Sequence, residues 1–253
     1  KNIILFSHKA GQRLTGVEKT PLILKDLIRN DLKITNTQIS DKLMINLQNL
    51  YQTNNEVKGR RINIGGDHSM SIATVANSIE KHNNLKVIWM DAHSDINTYE
   101  SSLSKNFHGI PLGILTGLEK NKEYNFSNKI LDFKDILYIG IRDIDSFEQE
   151  IIKEHNIKYI TIDEIHQDTE NVITNINSFI DNNPVHFSFD VDVLDKSVMP
   201  STGTIADNGL ELDSCKKILD NMLKHDVVSV DLTELNLDIG SSEESKKSLD
   251  NLK

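Results

Sequence analysis

The chain has 253 residues, 38% hydrophobic and 26% charged, which is enough apolar material for a sizeable core and too much for a disordered segment. Its 38 Asp and Glu against 28 Lys and Arg give a formal charge of −10, which repels a phosphate backbone and an anionic membrane, and no run approaches the roughly 18 apolar residues of a membrane-spanning helix. One cysteine, Cys215, cannot form an internal disulfide, so we expect a single domain over 1–253 in a reducing, cytoplasmic compartment, with no nucleic-acid or membrane partner.

Asn2–Phe6 is the first short apolar, β-branched run, and Thr20-Pro21 then opens a helix with Pro in its first turn. Leu32–Thr35 is the next strand, with Ser40 as the cap of the helix after it. Arg61–Ile64 reads as a strand, followed by Ser69–Lys81 with Ile72, Val75, Ala76 and Ile79 on one helical stripe. Within Lys86–Met90, Val87-Ile88-Trp89-Met90 is apolar on both faces, which suits a central strand of a parallel sheet. The polar stretch 119–135 reads as an exposed excursion. Ile136–Ile141, Lys158–Ile162, Val185–Val191 and Asp226–Asp231 bring the strands to about eight. From Ser241 onward, SSEESKKSLDNLK predicts one short amphipathic helix through Leu249 and Leu252, capped by a serine. Strands alternating with helical segments predict an α/β fold, a mostly parallel sheet covered by helices.

Ligands of such sheets gather at the carboxyl ends of the strands, and three of those ends here carry Asp and His. Gly65-Gly66-Asp67-His68-Ser69 follows Ile62-Asn63-Ile64, with glycines for a tight turn that delivers His68 to the start of a helix. Asp91-Ala92-His93-Ser94-Asp95 follows Met90, and Asp190-Val191-Asp192 follows Phe187-Ser188-Phe189. In an extended backbone alternate residues point the same way, which predicts that each set converges. Without a cation, the carboxylates of Asp91, Asp95, Asp190 and Asp192 would repel one another. With His68 and His93 they form an oxygen and imidazole set lacking thiolate, suited to Mn²⁺ or a related divalent ion. Six ligands accommodate two ions roughly 3.5–4 Å apart, able to acidify a water between them. His8, His82, His155, His166, His186 and His225 have no comparable context and are expected to be structural or exposed.

In order and spacing, across nearly the whole chain, these clusters resemble the three metal-binding signatures of the ureohydrolase family, which includes arginases and agmatinases. The resemblance implies a three-layer αβα sandwich and a binuclear manganese centre held by His68, Asp91, His93, Asp95, Asp190 and Asp192. The loop from Asp95 to Gly109 resembles the arginase version. By that resemblance Asn97, Ser102 and Ser104 contact a substrate α-carboxylate, and Asp145 and Glu148 hold an α-amino group. Donors suit a carboxylate and acceptors an ammonium. Gly16-Val17-Glu18 before Pro21 also resembles the arginase amino-terminal loop. Glu234, in Asp231-Leu232-Thr233-Glu234, matches the family glutamate that pairs with the guanidinium, and Thr204 a residue lining the same end of the pocket. The implied activity is manganese-dependent hydrolysis of L-arginine to L-ornithine and urea. Asp95 would carry a proton to the departing amine, and His108, with an ordinary pKa near 6.5, would exchange it with water. A homo-oligomer, trimer or hexamer, is implied as well.

Tyr99, Lys105 and Lys196 depart from the family pattern, standing where Pro, Gly and Pro are common. Agmatinase, or another amidinohydrolase of guanidino or formimino acids, is the alternative, although agmatine has no carboxylate for Asn97 and the serines to hold. A catalytically silent arginine-binding homologue is a further reading, against which the intact ligand set, Glu234 and His108 argue.

Overall fold

A computed structural model describes residues 2–28 and 31–252 of the chain. Eight strands, β1 (Asn2–Phe6), β2 (Lys33–Asn36), β3 (Arg61–Gly65), β4 (Lys86–Met90), β5 (Ile136–Ile139), β6 (Lys158–Ile160), β7 (Val185–Asp190) and β8 (Val227–Thr233), form one sheet in the order β2-β1-β3-β8-β7-β4-β5-β6. Every pairing is parallel, so the expectation of a mostly parallel sheet holds in full. The chain lays down β1 to β3 on one side, crosses to β4 to β6 on the other, and fills the gap last with β7 and β8. Four neighbouring carboxyl ends, those of β3, β8, β7 and β4, thus meet where the direction of winding changes, the usual place for a ligand crevice.

The helices are α1 (Thr20–Lys25), α2 (Leu43–Glu56), α3 (Ser71–Lys81), α4 (Pro111–Leu115), α5 (Ser146–Glu154), α6 (Ile162–Gln167), α7 (Thr169–Ile180), α8 (Leu212–Met222) and α9 (Ser242–Asn251). They divide between two faces because strand side chains alternate. Ile3, Leu5, Ile88 and Met90 pack with Leu24, Ile165, Val172, Ile176 and Ile218 from α1, α6, α7 and α8, with Leu249 of α9 and Leu252 against them. Ile4, Phe6, Val87 and Trp89 face the other way, toward Leu47, Leu50, Ile72, Val75, Leu112 and Ile151 from α2 to α5. The result is the expected αβα sandwich. Among the described residues no helix is long and apolar enough to cross a membrane.

Several local expectations are corrected. Ser40 does not cap α2; its hydroxyl accepts from Lys42 N at 3.2 Å, and Lys42 occupies the cap position with no side-chain bond. β6 stops at Ile160 rather than Ile162 because Thr161 and Glu164 form a reciprocal capping box that starts α6. The stretch 119–135 is anchored, with Leu131 buried and Phe126 and Phe133 packed on the core. The last helix forms as expected, with Ser241 and Glu244 as its capping box; Lys253, part of that expectation, lies outside the described residues.

Candidate active site

The residues expected to bind metal do converge, but not by strand alternation. β4 ends at Met90 and β7 at Asp190, and the ligands beyond them sit in tight turns. Each leading aspartate folds its own turn: Asp91 Oδ1 accepts from His93 N at 2.7 Å, and Asp190 Oδ1 from Asp192 N at 2.9 Å. Asp95 takes a left-handed conformation at φ 48°, and so does Glu234 at φ 65°. For non-glycine residues such backbone is uncommon and concentrates at functional sites.

Nδ1 of His68 lies 3.0 Å from Asp91 Oδ2, 3.0 Å from Asp95 Oδ2 and 3.1 Å from Asp190 Oδ2. Nδ1 of His93 lies 3.4 Å from Asp91 Oδ1 and 3.1 Å from Asp192 Oδ2. Two sets of three result, His68 with Asp91 and Asp190, and Asp91 with His93 and Asp192, each with its ligand atoms within 4.8 Å of one another. Asp91 belongs to both. Burial favours the neutral form of these carboxyls, and Asp91's charge adds to it, so Asp192 rises to about 6 and Asp95 also rises. Asp190 stands well above the usual carboxylate range, through burial first and then the charges of Asp192 and Asp91. Burial acts downward on His68, but the close carboxylates of Asp190, Asp91 and Asp95 outweigh it and hold the imidazole well above its ordinary value. In these raised carboxyls protons supply the compensating positive charge that bound cations would supply instead. Moreover His68 Nδ1, although ringed by three carboxylates, is buried without a hydrogen-bond partner, as expected of an atom aimed at a metal. Hard oxygens, two imidazoles and no thiolate fit a divalent ion such as manganese.

Surrounding groups fix these ligands. Trp89 Nε1 donates to Asp91 Oδ2 at 3.0 Å and its ring stacks on His68 with centroids 4.2 Å apart. Ser188 Oγ lies 2.7 Å from His68 Nε2, and Asp143 Oδ2 lies 3.6 Å from His93 Nε2. Such outer contacts orient a ligating imidazole and set its tautomer.

One pocket reaches from these ligands outward, lined by Asn97, Ser102, Ser104, Asp145, Glu148, Thr204, His108 and Glu234, so every substrate residue named from the sequence is gathered there. At the outer end Asn97 Nδ2 donates to Asp145 Oδ2 at 2.8 Å, and Asp145 and Glu148 form the capping box of α5. At the inner end Glu234 is buried; its Oε1 accepts from His68 N at 2.8 Å and lies 3.1 Å from His108 Nδ1, while Gln12 Nε2 donates to Oε2 at 2.6 Å. His108 is not near its ordinary pKa. Burial opposes its charged form, but the bond and charge of Glu234 outweigh that and lift it to about 9.

Residues 10–249 match the Arginase family. An arginase of Plasmodium berghei is 39% identical over 201 residues, 75% of this chain and 57% of that protein. One from Plasmodium falciparum is 37% identical over 233 residues, 87% of this chain and 56% of that protein.

This chain belongs to the arginase family.

It spans a little over half the length of those two relatives. The crystal structure of Entamoeba histolytica arginase in complex with L-ornithine shares its fold, with a TM-score of 0.90 at 28% identity over 99% of this chain and 96% of that one. The departures from the arginase pattern now have physical content. Lys105 sits at φ 58°, a conformation natural to the glycine common there, and its Nζ donates to the carbonyls of Tyr99 and Glu100 instead of pointing free at the entrance. Lys196 pairs with Asp207 at the surface. Reading the arginase signatures missed Gln12, Trp89, Ser188 and Asp143. Trp89 and Ser188 lie on strands whose sequence reads only as core, and nothing in Gly11-Gln12-Arg13 marks a partner for Glu234. Two of the histidines set aside are structural, as expected. His186 is fully buried with Nε2 3.0 Å from Asp231 Oδ2, and His8, also buried, has Nδ1 2.9 Å from Asn46 Nδ2.

Proposed function

We propose that this chain, as one catalytic domain, hydrolyses the guanidinium group of L-arginine to give L-ornithine and urea with two manganese ions. The observation that carries this reading is a single pocket holding amide and hydroxyl donors together with carboxylates at its mouth, and a buried glutamate beside the candidate ligands at its floor.

Glu234 orients the substrate, because a planar guanidinium matches a carboxylate in charge and shape. Substrate must compete with His108 and Gln12 for its oxygens, so binding frees the His108 imidazole from Glu234. Asn97, Ser102 and Ser104 receive the α-carboxylate, and Asp145 and Glu148 the α-ammonium. The arginase of Entamoeba histolytica carries L-ornithine in its crystal structure, which supports an amino-acid ligand of this class. Bound to His68, Asp91, His93, Asp95, Asp190 and Asp192, the divalent cations supply positive charge and acidify water. The carboxylate of Asp95 takes the proton that water releases and gives it to the departing amine nitrogen. His108 restores protons from solvent.

Agmatine shares the guanidinium but lacks the group that Asn97 and the serines would hold. Urea release from L-arginine and agmatine side by side, after manganese loading, tests the proposal. Preference for agmatine would sink the roles of Asn97, Ser102 and Ser104; tight arginine binding without urea would sink catalysis itself. A trimer or hexamer and a cytoplasmic location belong to the same reading. They rest on family membership and on Cys215, buried and free, and light scattering tests the assembly.

A further inference from the structure

At the opposite end of the sheet lies a recess with the reverse charge. Arg60 and Arg61 reach it from the start of β3, Lys58 from the turn before, and Lys81 and His82 from the end of α3. Asp226, the one acid lining it among the described residues, lies 3.4 Å from Arg60. A chain of formal charge −10 has no general reason to gather cations in one place.

Arg61 is the decisive member. It is 3% exposed, and a buried guanidinium is ordinarily paired with an anion. Here its Nη2 donates to Ser78 Oγ at 3.2 Å, its Nε is buried with no acceptor, and none of the ion pairs among the described residues includes it. Asp231 contributes charge from farther off, but its carboxylate is already engaged by Asn63, Ser71, Thr74 and His186. Lys81 Nζ rests on two neutral acceptors, the carbonyls of Asn54 at 2.8 Å and Asn55 at 3.2 Å. Partial burial and then the charge of Arg61 hold Lys81 down to about 8, and the same two causes lower His82. Positive groups therefore crowd one another, and Asp226, beside Arg60, is the one acid among them.

We propose that this recess binds a compact oxyanion of the phosphate class, either free phosphate or the head of a phosphomonoester. An Arg fork and a Lys ammonium in one concavity give such an ion both directed and point-charge contacts. The site stands at the amino-terminal edge of the strands, and it does not depend on the proposed catalytic reading.

Titration calorimetry of the whole chain with inorganic phosphate, at fixed ionic strength, tests the proposal. We expect one saturable site per chain, equal in metal-free and manganese-loaded protein, weakened roughly tenfold or more by Lys81→Gln. Lys58→Gln, at an exposed position, provides a second variant should Lys81→Gln fold poorly, and it too should weaken binding. Displacement of phosphate by glycerol phosphate supports an ester as the ligand, and failure to displace supports the free ion. Binding no stronger than that of chloride, binding only in the loaded protein, or binding unchanged in both variants overturns the site.

Discussion

Glu234 shows how one side chain links several parts of the site. It stands in a left-handed conformation, accepts from the backbone of His68 and the amide of Gln12, and lies against His108. Removing its charge while keeping its shape leaves burial to act on His108 with less opposition. Glu234→Gln should therefore lower the His108 pKa from about 9, which nuclear magnetic resonance titration of the imidazole reads directly. An unchanged value would mean that Glu234 does not set it. Glu148 gives a second case, in which the titrating group is a carboxyl rather than an imidazole. Burial pushes its carboxyl from 4.5 up to about 7. The native state thus binds this proton more tightly than the unfolded chain, and the associated stability is present below about pH 4.5 and lost as pH rises through about 7. The full effect is on the order of 3 kcal/mol. Glu148→Gln retains a capping-box residue but cannot ionise, so metal-free protein carrying it should lose less stability across that window, as denaturant melts at several pH values would show.

At the scale of elements, the turn after β3 depends on a missing side chain. A Cβ on Gly66 would lie 1.6 Å from the backbone oxygen of His8, whereas one on Gly109 would meet nothing within 4 Å. The loop after β1 packs here because Gly66 N and Asp67 N donate to the carbonyls of Phe6 and His8, and Gly11 N donates to Asp67 Oδ2. Gly66→Ala should destabilise the protein by about 1–3 kcal/mol or more and weaken metal binding through displacement of His68, with Gly109→Ala near neutral in stability. Thermal melts and metal titration of the two variants make the comparison; equal stability would contradict the close approach. The same scale shows where pattern reading failed. Alternation in Asp91 to Asp95 suggested a continuing strand, yet the aspartate side chain bonds its own backbone two residues on and turns the chain instead.

For the whole molecule, the dominant electrostatic fact is that four neighbouring strands deliver acids to one crevice. A ligand that binds only the native state stabilises it by mass action, about 2.7 kcal/mol when present at a hundredfold excess over its dissociation constant. Manganese added to chelator-treated protein should raise the melting temperature accordingly, and Asp190→Asn should remove most of that gain and the bound metal together. A melting temperature indifferent to manganese would contradict the assignment of the centre. Salt should matter little to these buried groups, in contrast to exposed pairs such as Lys196 with Asp207.

The amino-acid sequence by itself determined the layered α/β plan, because apolar runs and helical stripes are local patterns that burial must satisfy. It also singled out the six residues proposed to hold the metal, because so many acids placed after buried strands call for compensating positive charge. Only the tertiary structure decided that Asp91 belongs to both ligand sets, that Gln12 reaches Glu234, that His186 pairs with Asp231, and that a buried arginine ends without an acid beside it. Each of those depends on which strands are neighbours, and the order β3-β8-β7-β4 joins segments far apart in the chain through long-range packing that no local pattern encodes.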